Sequence, residues 1–394
     1  MTADAATAPL HVFIVASEES GDVLGAALMR SMRVRADRPL IFSGVGGGAM
    51  AAKGLASLFP IGELAIVGID AVIAKLPVIL RRIRETAAAA IAARPDILVI
   101  IDSPDFTHRV ARKVRAAMPN LPIVDYVSPT VWAWRPGRAR KMRAYIDHVL
   151  ALLPFEPKAH LELGGPPCTY VGHPLSDRLQ ELRPDAEDAK RREGKPPVLL
   201  VLPGSRTGEV TRLLAPFGEA VRRTIARCGA LEVIVPTVPH VAQRVRDAVA
   251  SWGIPARVTL DPAEKALAFR TARAALAASG TVTLELAVAG IPTVVGYKVS
   301  PLEAVVAHLF IRGNSVVLAN LVLGENAMPE LLQSRLTPES AAAALVPLIA
   351  DSPARKLQLD AFARLDGIMG IGRMSPSNSA ADAVLALATG QKPT

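Results

Sequence analysis

Residues Pro95–Phe106 read PDILVIIDSPDF. Ile97–Ile101 is apolar without interruption, so both faces of the strand it predicts must be covered. Such a strand belongs in a parallel sheet sandwiched by helices; a half-exposed antiparallel strand would alternate. The run ends on Asp102, and Asp105 follows three residues later. An isolated carboxylate is costly to bury, so this strand end faces water or a ligand.

Runs of the same kind recur on either side, with helical stretches between them. Before it stand HVFIVAS (11–17) and PLIFSGVG (39–46); after it come PIVDYVS (122–128), HVLALL (148–153) and CTYVGH (168–173). The polar stretch SDRLQELRPDAEDAKRREGKPP (176–197) ends in Pro-Pro and reads as a domain boundary. A second series follows: PVLLVLPG (197–204), LEVIVPTV (231–238), ARVTL (256–260), AALAAS (274–279) and PTVVGY (292–297). The pattern predicts an α/β protein of two doubly wound, Rossmann-like domains facing a cleft. They cover about residues 1–180 and 195–360, with C-terminal helices over 361–394. A chain of 394 residues is long enough to give each domain its own core.

Lys and Arg number 45 against 36 Asp and Glu, a net charge of +9 that suits anionic partners. Aromatic residues make up only 4%, too few for the stacking platforms of single-stranded nucleic acid, and no nucleic-acid partner is expected. Two cysteines, Cys168 and Cys228, form no disulfide framework and point to a reducing compartment. The start, MTADAATAPLHVFIVAS, lacks a basic region before its short apolar run and reads as a first strand rather than a signal peptide. The longest apolar stretch, Leu64–Leu80, is broken by Asp70, Lys75 and Pro77 and falls short of the ~20 residues a crossing helix needs. Within the wider segment 61–84, an apolar body with a basic end could dip into a membrane interface, hold acyl chains or pack as a core helix.

Several strand ends carry groups suited to chemistry. In ASGTVTLELAVAGIP (278–292), the turn Ser279-Gly280-Thr281 opens a helix whose free N–H groups suit a diphosphate, and Glu285 lies one turn in, within reach of ribose hydroxyls. In LPGSRTGEV (202–210), Gly204 and Ser205 permit a tight turn that sets Arg206 at the carboxyl edge, where it can neutralise a leaving phosphate. Glu18, Glu19, Ser20 and Asp22 crowd the loop and helix start after the first strand, a place where acids also occur for dipole reasons alone. SGVGGGAM (43–50) is glycine-rich but matches no complete nucleotide-binding motif. YVSPTVWAWRPGRARKMR (126–143) sets Trp132 and Trp134 beside Arg135 and further cations, suited to a phosphosugar or lipid headgroup. Asp105 is read as the cap of a helix starting near Phe106. His108 and His173 lie near strand ends, and no metal-ligand motif is present.

Taken in order, SEESGD, PDILVIIDSPDF, SPTVWAW, LPFE, VGHPLSD, LPGSR, ASGTVTLE, VVGY and NLVLGENAMPELLQ resemble the lipid-A-disaccharide synthases, inverting glycosyltransferases of bacterial lipid A assembly. The resemblance implies the B-type glycosyltransferase fold, with acceptor and lipid at the first domain and the UDP-sugar at the second. It implies C-terminal helices packing back on the first domain, and a homodimer that exchanges C-terminal elements. The implied reaction joins UDP-2,3-diacylglucosamine to 2,3-diacylglucosamine 1-phosphate (lipid X), forming a β-1,6-linked disaccharide phosphate and UDP. Asp102 matches the proposed general base and Glu18 an acidic residue of the same cleft. Arg206 matches the LPGSR arginine, and Asn320, Glu330 and Gln333 an element near the nucleotide. Ser20, Asp22, Trp132, Trp134 and Arg135 are then assigned to acceptor and lipid. Neither cofactor nor metal is expected, and the partner surface is the anionic cytoplasmic face of the inner membrane, bound peripherally. Ser17 and Ala319 depart from the family's usual glycine and proline. Other enzymes of the same fold stay open as alternatives: an N-acetylglucosaminyl transferase of peptidoglycan assembly, or a UDP-sugar 2-epimerase. So does a non-catalytic lipid- or nucleotide-binding protein.

Overall fold

The computed structural model describes residues 8–64, 69–300, 315–373 and 375–392, with backbone alone for 69–75. The chain divides into two compact units, residues 1–174 with 372–394, and residues 175–371. In the first, β1 (Leu10–Ala16), β2 (Leu40–Val45), β3 (Ile97–Ile101), β4 (Ile123–Tyr126), β5 (His148–Ala151) and β6 (Cys168–Tyr170) form a parallel sheet. Its order is β2-β1-β3-β4-β5-β6. The helices that position the site are α1 (Glu19–Arg35), α2 (Ile69–Ala93), α3 (Pro104–Ala117) and the short α4 (Gly137–Met142).

All five residues of β3 are buried, and their alternation divides them between two cores. Ile97, Val99 and Ile101 pack with Met29 and Met32 of α1, while Leu98 and Ile100 pack with Ile83 and Ala87 of α2 and Val110 and Val114 of α3. Each such side chain contributes roughly 1.5–3 kcal/mol by leaving water. That is why the strand carries no polar residue until its end.

The second unit contains β7 (Val198–Leu202), β8 (Glu232–Pro236), β9 (Ala256–Thr259), β10 (Ala274–Ala277), β11 (Thr293–Tyr297) and β12 (Glu330–Leu332), ordered β12-β11-β10-β7-β8-β9 and parallel throughout. Here α5 (Thr207–Cys228), α6 (Val282–Val288), α7 (Leu318–Leu323), α8 (Pro338–Ile349) and α9 (Leu365–Met369) follow in order. Leu199 and Val201 of β7 share a core with Phe217 and Val221 of α5 and Leu345 of α8.

After α9 the chain returns to the first unit as α10 (Pro376–Ala388). Ala380 and Val384 of α10 join the core of α1 and β3. Ser31 Oγ donates to Ser377 Oγ at 3.0 Å, and Arg35 pairs with Asp382. The return begins at residue 372, not at the 361 read from sequence. Leu365 and Met369 are the reason: both are buried in α9, which packs against α6 and α7 of the second unit.

Strand order changes direction between β1 and β3 in the first sheet and between β7 and β10 in the second. Ligands of open α/β sheets collect beyond the carboxyl ends of the strands at such points. Among the described residues, no helix is long and apolar enough to cross a membrane. Residues 65–68 and the side chains of 69–75 lie outside the described residues, so the expectation for segment 61–84 falls partly there.

Candidate active site

In the first sheet, Ala16 is paired with Ile101, so Glu18 and Asp102 leave neighbouring strands at nearly the same height. Asp102 and Ser103 both adopt left-handed backbone, at φ 52° and 46°. That conformation costs an L-residue roughly 1–2 kcal/mol. It is held by the Asp102 N–H donating to the Tyr126 carbonyl (3.0 Å) and by Thr107 Oγ1 donating to the Asp102 carbonyl (2.7 Å). The Asp102 carboxylate accepts the Ser103 N–H at 2.7 Å. Burial raises its pKa above the ordinary carboxylate value, with smaller upward contributions from Glu18 and Asp125, while the Ser103 bond opposes them. The result is a half-buried carboxylate more basic than usual at the switch point.

Asp105 does not cap the helix. Ser103 occupies the cap position, α3 begins at Pro104, and the exposed Asp105 carboxylate lies 3.8 Å from Arg138. Asp22 also departs from expectation. It is 3% exposed, and its oxygens accept the N–H groups of Gly47, Ala49 and Met50 at 2.7–3.0 Å. It therefore holds the glycine-rich loop rather than an acceptor, and that loop needs glycine for packing: a Cβ on Gly47 would lie 2.6 Å from Asp22 Oδ2. Ser20 is exposed in the first turn of α1.

The loop after β4 is anchored from below. Val127 has φ 86°, Ser128 Oγ meets His160 Nε2 at 2.8 Å, and Trp132 Nε1 donates to Glu156 Oε1 at 3.2 Å. Glu156 also accepts the Leu153 N–H, and burial pushes its pKa up to about 7. Nothing in LPFE marks a role for Glu156; the structure makes it the support of Trp132. Trp134 carries the Arg135 guanidinium 5.4 Å from its ring centre, and Arg135 also has left-handed backbone at φ 53°. His108 is buried between Asp125 (Nε2 to Oδ2, 2.9 Å) and Tyr145 (Nδ1 to the hydroxyl, 3.2 Å).

At the second switch point, a recess of about 450 Å³ is lined by Gly204, Ser205, Arg206, Ser279, Gly280, Thr281 and Glu285, all expected nucleotide contacts. Gly204 has φ 103°, and a Cβ there would lie 2.0 Å from Glu209 Oε2. Arg206 stands at the cap position of the 22-residue helix α5, whereas α6 has only seven residues. The stronger positive dipole end at this recess is thus the one after β7. Thr281 gives α6 no side-chain cap, and Ser279 Oγ donates instead to the Val316 carbonyl at 2.7 Å.

Asn320, Glu330 and Gln333 do not line the recess. Asn320 bonds both the N–H and the carbonyl of Met328 and donates to Glu330 Oε1 at 2.8 Å. Glu330 also accepts Ser315 Oγ and the Val316 N–H. Together they brace the wall to which Val316 belongs, while Gln333 accepts a 3.4 Å bond from the Val299 N–H. Glu209 and Thr237 are among the lining residues that the sequence alone does not single out. Glu209 reaches back from the first turn of α5 to the Ser205 N–H (3.2 Å), and its buried Oε1 has no protein partner; nor has Thr237 Oγ1, just after β8. A glutamate in a helix's first turn behind a small-residue turn was the available signal for the former.

A family model described as lipid-A-disaccharide synthetase matches residues 12–383. The chain belongs to the lipid-A-disaccharide synthetase family. Relatives named lipid-A-disaccharide synthase are 58% identical over 381 residues in Nitrobacter hamburgensis (97% of this chain, 96% of that one). In Rhodospirillum centenum the figure is 46% over 384 residues (97% and 95%). The chain is therefore a glycosyltransferase of lipid A biosynthesis. A solved structure of a UDP-N-acetylglucosamine 2-epimerase from Listeria monocytogenes superposes with TM-score 0.65 at 14% identity, covering 98% of both chains. At that identity the likeness bears on the fold alone, and it agrees with the two-domain α/β architecture of B-type glycosyltransferases.

Proposed function

We propose that this family member transfers 2,3-diacylglucosamine from its UDP derivative to the 6-hydroxyl of 2,3-diacylglucosamine 1-phosphate, with inversion. Asp102 takes the proton of that hydroxyl, and the oxygen attacks the donor's anomeric carbon opposite the diphosphate. The bond from that carbon to the diphosphate oxygen breaks, leaving UDP and a β-1,6 linkage. The observation that carries the reading is Asp102 itself: strained backbone, half-buried position and raised basicity coincide at one strand end. UDP occupies the recess beyond β7 and β10, where Arg206 and the N-terminus of α5 meet the charge that develops on the leaving group without a metal ion.

Peripheral attachment to the cytoplasmic face of the inner membrane belongs to the same proposal, supported by the +9 net charge. So does a homodimer, which rests on the family resemblance. The test is to mix purified protein with both diacyl substrates, without added metal, and follow UDP release. Steady release that Asp102→Ala abolishes supports the reading. No release by the wild type, or an unchanged rate in the variant, overturns it.

A further inference from the structure

On the first unit, α3 and α4 face each other across a recess of about 410 Å³ that the reaction as described does not use. Arg109 and Arg112 enter it from α3, Arg138 and Lys141 from α4, and Arg135 from the loop before α4. The one carboxylate on its lining, Asp105, is exposed and 3.8 Å from Arg138. Among the described residues no carboxylate pairs with Arg109, Arg112, Arg135 or Lys141. Like charges gathered this way repel one another, so the arrangement is relieved by an anion rather than by the fold.

One of these cations is built into place. The Arg112 guanidinium lies 4.6 Å from the Tyr145 ring centre and donates to the Tyr145 hydroxyl at 3.0 Å. That hydroxyl is held by buried His108, which is fixed in turn by Asp125. A guanidinium with its orientation set from below loses little freedom when it grips a phosphate through paired N–H groups.

We propose that this recess takes the 1-phosphate of the acceptor sugar; the inference rests on the function proposed above. Pro104, on its lining, is two residues from Asp102, a separation of at most about 7 Å along the chain. The reacting 6-hydroxyl, carried on C5, and the 1-phosphate, carried on C1, flank the ring oxygen of one sugar, so they are separated by no more than the span of that ring. With the hydroxyl at Asp102, the phosphate reaches the start of α3 and the arginines beside it.

The test compares acceptors with and without the 1-phosphate, for wild type and for Arg109→Ala/Arg138→Ala, with a UDP titration to verify folding. Wild type is expected to favour the phosphorylated acceptor in kcat/KM by about tenfold to a hundredfold, the scale of a few charge-assisted hydrogen bonds. The double variant should lose most of that preference, and Arg109→Lys/Arg138→Lys should keep more of it. An unchanged preference in the alanine variant overturns the proposal. So does a variant that keeps the preference but no longer binds phosphatidylglycerol vesicles, because the recess then serves bilayer headgroups. If wild type releases no UDP with either acceptor, the proposed function fails, and calorimetry with glucosamine 1-phosphate decides the recess alone. Binding at least tenfold tighter than that of glucosamine, lost in the alanine variant, supports it; equal binding of the two overturns it.

Discussion

The two sheets end at their switch points in opposite ways. In the loops after β3 and β4, left-handed backbone is carried by Asp102, Ser103, Val127 and Arg135, none of them glycine. In the turns after β7 and β10, positive φ falls on Gly204 and Gly280. The first unit bends its backbone at a cost and so aims particular side chains; the second removes side chains so that backbone N–H groups line a recess. Strain of this kind persists only where the surroundings over-determine it, and it clusters at active sites, ligand clamps and switch regions.

Exchanging the strategies tests the contrast. Asp102→Gly relaxes the left-handed position yet removes the carboxylate. Turnover should fall about 10²–10⁴-fold, the range of general-base contributions, while thermal stability holds or rises. A large loss of stability would show that the side chain is there for folding. Gly204→Ala is the reverse exchange. Its Cβ meets Glu209 Oε2 at 2.0 Å in a backbone that disfavours alanine, so UDP affinity measured by calorimetry should fall about tenfold or more. Stability should fall by about 1–3 kcal/mol as well.

A third prediction concerns Glu156 beneath the strained loop. Burial raises its folded pKa from 4.5 to about 7. Between those pH values the folded state holds a proton that the unfolded chain has released. Its contribution to stability is therefore complete below pH 4.5 and is lost as pH rises to 7, a decline of about 3 kcal/mol. Denaturant unfolding across this range should show the slope in wild type and not in Glu156→Gln, which gains on wild type above pH 7. Equal slopes would mean the carboxyl is not buried in solution. The smallest effect is Ser103→Gly, which relieves one left-handed residue and deletes a buried hydroxyl without a protein partner. A gain of roughly 0.5–1 kcal/mol is expected by unfolding, and a loss would show that the serine hydroxyl is used.

Much of this was legible from residue order. Strands apolar on both faces, such as β3 and β7, announce a parallel sheet, and their last residues announce the ligand edge. β12 was not legible: it is three residues long and takes its place by pairing with β11 alone. Nor does a sequence show when a polar group is already engaged. Asp22, Asn320 and Glu330 looked like ligand contacts, but backbone groups and one another occupy them. The cations of 135–143 were visible as a cluster. Their convergence with Arg109 and Arg112 depends on two helices meeting across a fold, which no local pattern encodes.

The central claim is that the carboxylate closing β3 accepts the acceptor's proton. The acid limb of kcat/KM for the acceptor measures it most directly, compared between wild type and the residual activity of Asp102→Asn. The account predicts a wild-type limb with an apparent pKa above that of an ordinary aspartate, and no such limb in the variant. The same limb in both proteins would contradict it.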